Sequence, residues 1–273
     1  MKRFETKRQL KLIVSLLYYG IWQIRQKVSK LLGRPQKPRL TILYYHSVRP
    51  EERKNFARQM AALHKGARVV AAAFRGKLQP HCKHVAITFD DAFVSFAENA
   101  LPELALRSFP CTVFVPVGAL GHRPSWAMES CCEDREEIVM TREHLLKLPS
   151  SMVELGTHTI THPHLTQLDQ TQARTEIEAC RAQLEKLTGR DIRLFSFPYG
   201  EFNEKLVQIC RDARYESIFT VVPKEVDTST PDLVRGRVRV DPSDGLLEFY
   251  LKFNGAYAWA AHFAAWRHAV AGG

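Results

Sequence analysis

From Leu40 to Val240 the chain alternates short apolar, β-branched runs with stretches of helical period. This alternation restricts the fold more than any other feature. The runs are Leu40–Tyr45, Ala67–Val70, Val85–Phe89, Thr112–Val115, Val153–Leu155, Leu194–Phe197, Ser217–Val221 and Arg237–Val240. Several are apolar almost throughout, the pattern of parallel strands covered on both faces. Between them Asn55–Leu63, Phe93–Leu106 and Thr171–Leu187 carry helical periodicity, the last with Gly189 as its stop. The pattern predicts α/β architecture, an open sheet or a barrel. Barrel chemistry sits at strand C-terminal ends. An apolar content of 45% and a charged content of 25% over 273 residues exclude a disordered chain, a collagen-like repeat and a polytopic membrane protein.

The net charge of +10 suggests nucleic acid until it is localised. Residues 1–39 hold eleven Lys/Arg against the single acid Glu5, and the remaining 234 residues hold 28 of each sign. The domain organisation expected is therefore a basic helix and linker over 1–39, a catalytic domain over 40–254, and an Ala/aromatic-rich segment over 255–273, most simply a terminal helix. Leu10, Val14, Leu17, Ile21, Ile24, Val28 and Leu31 form one helical stripe, ended by Gly33, Pro35 and Pro38. The uncharged core Leu12–Trp22 is too short to span a bilayer, which takes about 20 residues. No small-x-small cleavage site follows it. Two readings stand. In one, the helix lies on an anionic membrane surface through residues 1–33, with Leu17, Tyr18, Ile21 and Trp22 as contact candidates. In the other, it packs on its own domain or forms a dimer seam. A nucleic-acid arm fits poorly, because the cations interleave with aliphatic residues.

The six cysteines contain no Cys-x-x-Cys pair, and the vicinal Cys131-Cys132 suits no ordinary disulfide framework. They read as free thiols in a reducing compartment. The expected location is cytoplasmic or peripheral on the cytoplasmic face of the inner membrane, with export by an uncleaved N-terminal segment as the alternative. Gly121–Met140 reads as an inserted loop.

Three strand ends carry polar residues that an apolar core would not choose. Val85–Phe89 runs into Asp90-Asp91, two adjacent carboxylates whose repulsion needs compensation by a metal, unless they cap a helix over Ala92–Ala100. His158 and His162 are spaced i,i+4 after Val153–Leu155. With a carboxylate they make a catalytic zinc set, although such a pair also arises incidentally. His164 falls outside the spacing and reads as surface. Finally, Phe197-Pro-Tyr-Gly200 forces a turn after a strand, which either presents a backbone N–H to a ligand or is an ordinary loop.

Taken in order, Thr-Phe-Asp-Asp at 88–91, His-Thr-x-x-His at 158–162 and Phe-Pro-Tyr-Gly at 197–200 resemble the polysaccharide deacetylase family (carbohydrate esterase family 4) over roughly residues 40–240. The run Leu40–His46 resembles its exopolysaccharide-deacetylase branch. The resemblance implies a distorted, incompletely closed (β/α) barrel. It also implies one divalent metal, usually Zn2+, and removal of acetyl from N-acetylhexosamine units. Carried over, Asp91, His158 and His162 match the metal ligands and Asp90 the general base. The Tyr199 backbone N–H matches the oxyanion donor. Two departures matter. Where many members place an Arg two residues before the motif's Pro, this chain has Ser196, and Arg237 is the candidate replacement from the series Arg235, Arg237 and Arg239. Residues 201–261 contain no His, and His262 and His268 fit poorly, so His46 is the candidate proton donor. The implied substrate is an envelope or exopolysaccharide glycan, or its lipid-linked precursor. A small-amide amidohydrolase and a silent glycan-binding module are the competing readings.

Overall fold

A computed structural model describes residues 2–34, 38–128 and 132–261. Its frame is a parallel sheet whose strands are β1 (Leu40–Tyr45), β2 (Arg68–Val69), β3 (His84–Phe89), β4 (Cys111–Val115), β5 (Val153–Thr157), β6 (Leu194–Ser196), β7 (Ser217–Phe219), β8 (Val234–Arg235) and β9 (Val238–Arg239). The order across the sheet is β8-β7-β6-β5-β4-β3-β1-β9, with the short β2 bordering the start of β3. Every pairing is parallel. The outermost strands β8 and β9 are separated in the chain only by Gly236 and Arg237, so the sheet curls until its two edges meet. No ladder closes that seam, and the result is an incompletely closed barrel.

The side chains divide by parity, as a pleated strand requires. Ile42, Ala86, Phe114, Leu194 and Phe219 form an inner cluster. Leu43, Tyr45, Val85, Ile87, Phe89, Val113 and Ile218 belong to a larger outer one under the helices. Both faces are buried, which is why these strands read as continuous apolar runs. The helices are α1 (Lys2–Leu31), α2 (Arg53–Gly66), α3 (Leu101–Ala105), α4 (Arg142–Lys147), α5 (Gln170–Thr188), α6 (Glu204–Asp212) and α7 (Leu246–Phe253). In α5 the Asp169 carboxylate accepts from the Gln172 N–H at 2.8 Å, and Gly189 ends the helix at φ 69°.

Three expectations change in detail. The helix read over Phe93–Leu106 is a π-turn at Phe96–Ala100 followed by the short α3, because Pro102 has no N–H to continue the ladder. The last predicted strand, Arg237–Val240, shortens to β9 at Val238–Arg239, and the two-residue β8 on the other side of the seam lies outside every predicted run. The carboxylates Asp90 and Asp91 cap no helix, since helical turns begin only after Phe93. Cys82, Cys111, Cys180 and Cys210 are unbridged thiols, while Cys131 and residues 262–273 (His262 and His268 among them) lie outside the described residues. No helix among the described residues is long and apolar enough to cross a membrane.

The seam tolerates one residue type at position 236. A Cβ there would lie 2.4 Å from the Val222 carbonyl oxygen and 2.9 Å from Lys224. Gly236→Ala should therefore cost about 1–3 kcal/mol in urea denaturation, the range for overpacking a filled site. Gly20→Ala, in the interior of α1 with nothing within 4 Å of its Cβ, is the control expected to be neutral or stabilising.

Candidate active site

The inward parity of β3 runs through His84, Ala86 and Thr88 and continues to Asp90, whose N–H donates to the Tyr45 carbonyl at 2.9 Å. Asp91 then leaves the strand with a left-handed φ of 64°, and Ala92 follows at 51°. Each such residue costs roughly 1–2 kcal/mol. Among the described residues eight non-glycines have positive φ, and five of them, Asp91, Ala92, Thr159, His162 and Tyr199, sit at these strand ends. Strain concentrated this way marks a functional site rather than random looping.

The tips of β3 and β5 bring Asp91, His158 and His162 together. One ligand-type atom from each lies within 4.8 Å of the others, and all three residues are buried. The His158 Nδ1–H donates to the Ser196 carbonyl at 2.7 Å, which leaves Nε2 as the lone-pair nitrogen, 3.7 Å from Asp91 Oδ1. His162 Nε2 is 3.4 Å from the same oxygen. Burial lowers the imidazole pKa of His158 to about 4 and of His162 to about 2, so both are neutral at pH 7. Burial, reinforced by the charges of Asp90 and Asp134, pushes the Asp91 carboxyl well above its usual range. Asp91 Oδ1 is buried without a hydrogen-bond partner. Two neutral imidazoles facing a carboxylate oxygen that lacks any donor fit a divalent cation.

Asp90 has a different environment. Arg237, fully buried in the barrel seam, grips it with both arms of the guanidinium, Nη1 to Oδ1 at 2.7 Å and Nη2 to Oδ2 at 2.8 Å. The same guanidinium donates to Ser196 Oγ at 2.7 Å, Thr88 Oγ1 at 3.1 Å and the Thr220 carbonyl at 3.3 Å, and lies 4.7 Å from the Tyr44 ring centroid. Burial alone would raise the Asp90 carboxyl. The Arg237 charge outweighs it, and the pKa falls below the ordinary value. Two adjacent carboxylates are thus driven apart in pKa.

Parallel register sets His46 beside this pair, since Tyr45 is opposite Phe89 and the next residues are His46 and Asp90. His46 is half-buried and lies edge-on to Tyr44 at 5.7 Å. Burial lowers its pKa, opposed by the Asp90 charge. Tyr199 occupies the turn after β6 at φ 56°, its ring edge-on to His162 at 4.8 Å and its hydroxyl donating to the Ala127 carbonyl at 3.2 Å.

Two aromatic neighbours were not anticipated from sequence. Trp126, in the inserted loop, stacks on His162 with centroids 4.5 Å apart. His164, read as surface, is half-buried and stacks on Tyr199 at 3.9 Å while its Nδ1 meets Glu201 at 3.0 Å. The i,i+4 spacing had no bearing on His164, because it follows Pro163 out of the turn. No local pattern marked Trp126, whose contact is made across the fold.

The buried pair generates a sharp expectation. Arg237→Met strands Asp90 as an uncompensated buried carboxylate and should cost about 3–5 kcal/mol at pH 7. The native contribution of Asp90 is present above the unfolded carboxylate pKa and is lost as pH falls through its lowered folded value. The deficit of Arg237→Met relative to wild type should therefore shrink on acidification. Adding Asp90→Asn should recover much of it at pH 7; denaturation of chelator-treated protein at several pH values checks both.

Known proteins resemble this chain in sequence and in fold. A Bacillus subtilis protein named for the polysaccharide deacetylases, YxkH, is 24% identical over 221 residues, 77% of this chain and 74% of its own length. Among solved structures, IcaB from Ammonifex degensii superposes with a TM-score of 0.65 at 25% identity, covering 83% of this chain and 98% of its own. The Streptococcus pyogenes deacetylase PplD, solved with acetate, gives a TM-score of 0.66 at 21% identity over 80% of this chain and 99% of its own, a likeness of fold. The family model described as polysaccharide deacetylase matches residues 77–218, a span that holds Asp90, Asp91, His158, His162 and Tyr199 but neither His46 nor Arg237. With that match over just more than half its length, the chain belongs to the polysaccharide deacetylase family and is a hydrolase of the carbohydrate N-deacetylase class.

Proposed function

We propose that the protein is a metal-dependent N-deacetylase acting on N-acetylhexosamine units of an envelope or exopolysaccharide glycan, or of its lipid-linked precursor. The observation that carries this reading is the split pair of carboxylates: Asp90 held ionised by Arg237, and Asp91 turned towards His158 and His162. Asp91, His158 and His162 would hold one divalent cation, with Zn2+ favoured by two imidazoles and one carboxylate. When bound, such an ion supplies Lewis acidity toward the acetyl carbonyl and toward water.

The chain's own groups divide the remaining work. Asp90 takes the proton from the attacking water, and Arg237 keeps it ionised and oriented for that task. The Tyr199 backbone N–H donates to the acetyl oxygen as it becomes anionic. The proton taken by Asp90 passes to His46 beside it, and His46 delivers it to the departing amine. Burial favours its neutral form, which would charge only transiently. The half-exposed faces of Trp126, Tyr199 and His164 favour a sugar ring over a small amide. A buried carboxylate kept charged beside the donor set favours hydrolysis over glycan binding alone.

Acetate release from N-acetylglucosamine oligomers, run with metal analysis, tests the assignment. Asp91→Ala and His158→Ala should lose the metal. Asp90→Asn and His46→Ala should keep it while turnover falls by about 10²–10⁴-fold. Stoichiometric metal in the wild type with no acetate from any N-acetylated glycan would overturn the reading, and unchanged turnover in His46→Ala would remove that residue from it. Arg237→Gln should move the acidic limb of kcat/KM to higher pH, because loss of the guanidinium raises the Asp90 carboxyl; a limb that stays in place would leave Arg237 a purely structural role.

A further inference from the structure

Helix α1 is bound to the body by its polar side. Arg8 reaches Asp244 at 3.1 Å and Glu248 at 2.8 Å, the fully buried Ser15 accepts from the Trp259 indole at 2.9 Å, and Tyr19 meets the Tyr250 hydroxyl at 3.1 Å. Gln23 donates to Tyr19, and Leu12 packs against the core. Positions 8, 12, 15, 19 and 23 form one helix face. The aliphatic stripe lies on the opposite face, in solvent: Leu10 is 61% exposed, Leu17 64%, Ile21 61%, Ile24 64%, Val28 48% and Leu31 87%.

These side chains fall within about 40° of a single line and extend over about 32 Å of helix. A contiguous apolar patch of that length on a folded domain marks an interaction surface. Exposed cations flank it, Arg25 on one side and Lys27 on the other, each about 80° from the centre of the row, with Lys11 beyond. Glu5 is the single acid of residues 1–39. A second copy packed stripe to stripe would therefore bring like charges to both margins of the seam, with no carboxylate on either helix beside them. The complement of this surface is apolar at its centre and anionic at its edges.

We propose that α1 docks the protein on an anionic phospholipid surface, its exposed row from Leu10 to Leu31 in the headgroup–acyl boundary and Arg25 and Lys27 on the phosphates. The helix lies in the plane of that boundary. Because its other face is tied to Asp244, Glu248 and Tyr250, the membrane holds the whole domain in one orientation rather than on a free tether. Of the contact candidates read from sequence, Leu17 and Ile21 belong to this surface. Trp22 is half-buried and stacks on Tyr19 at 5.9 Å, toward the body, and Tyr18 lies on the flank. The proposal is independent of the catalytic reading.

Flotation of the full chain with equimolar phosphatidylglycerol–phosphatidylcholine vesicles tests it, with phosphatidylcholine alone as the comparison. Binding should be at least about tenfold weaker to the neutral vesicles, and weaker again at about 500 mM NaCl than at about 50 mM. Ile21→Glu with Ile24→Glu should abolish it while leaving helix content, thermal midpoint and soluble-oligomer hydrolysis unchanged, because both side chains are more than half exposed on the face turned away from the body. Arg25→Glu with Lys27→Glu should weaken it without touching the apolar row. Failure of the wild type to float with anionic vesicles overturns the proposal. So does a dimer in analytical ultracentrifugation that Ile21→Glu dissociates, which would assign the stripe to a second copy.

Discussion

The bidentate contact between Arg237 and Asp90 joins the architecture to the chemistry. Arg237 sits in the two-residue step between β8 and β9, where the curled sheet fails to close, and its guanidinium fills the interior there. It is bonded to residues on β3, β6 and the tip of β7 at once, through Thr88, Ser196 and Thr220. A desolvated arginine is stabilising only if nearly all its donors are used, and here they are. One residue therefore pins both edges of the gap and sets the charge of the carboxylate beside it.

That arrangement lets neighbouring residues do different work. Asp90 and Asp91 are adjacent in sequence, equally buried, and chemically identical in isolation. The left-handed turn at Asp91 separates them: one side chain faces the guanidinium, the other the imidazoles. Backbone strain at Asp91, Ala92, Thr159, His162 and Tyr199 is the cost of presenting five groups at the end of a sheet whose regular geometry would point them alternately away. Ser196 shows how the seam substitutes for a missing charge: it occupies the position where an arginine is common in the family, and it accepts from Arg237.

The basic N-terminal segment follows a separate logic. Its cations contribute the net charge of the whole chain, yet only Arg8 among the described ones is held by the domain's carboxylates. A helix that turns serine, tyrosine and arginine inward and leucine and isoleucine outward is inverted relative to an ordinary surface helix. Such inversion persists in solution because the inner face is anchored by hydrogen bonds and ion pairs, whatever the outer face meets.

The amino-acid sequence alone determined most of the strands, since burial on both faces makes several of them apolar almost throughout, and α5, whose Asp169 and Gly189 punctuate its ends. It also singled out Asp91, His158 and His162, which lie in short ordered motifs and which the fold brings within 4.8 Å of one another. Local pattern did not reach β8, too short to show a period, or the break in the helix at Pro102. Three further matters were decided only by tertiary structure: the two-armed contact that Arg237, the candidate from its series, makes with Asp90, which aromatics would wall His162, and which side of α1 would meet the domain. The physical reason is the same in each. Periodicity and turn chemistry act over a few residues, whereas these contacts depend on where a curled sheet brings its own edges together, more than 140 positions apart for Asp90 and Arg237.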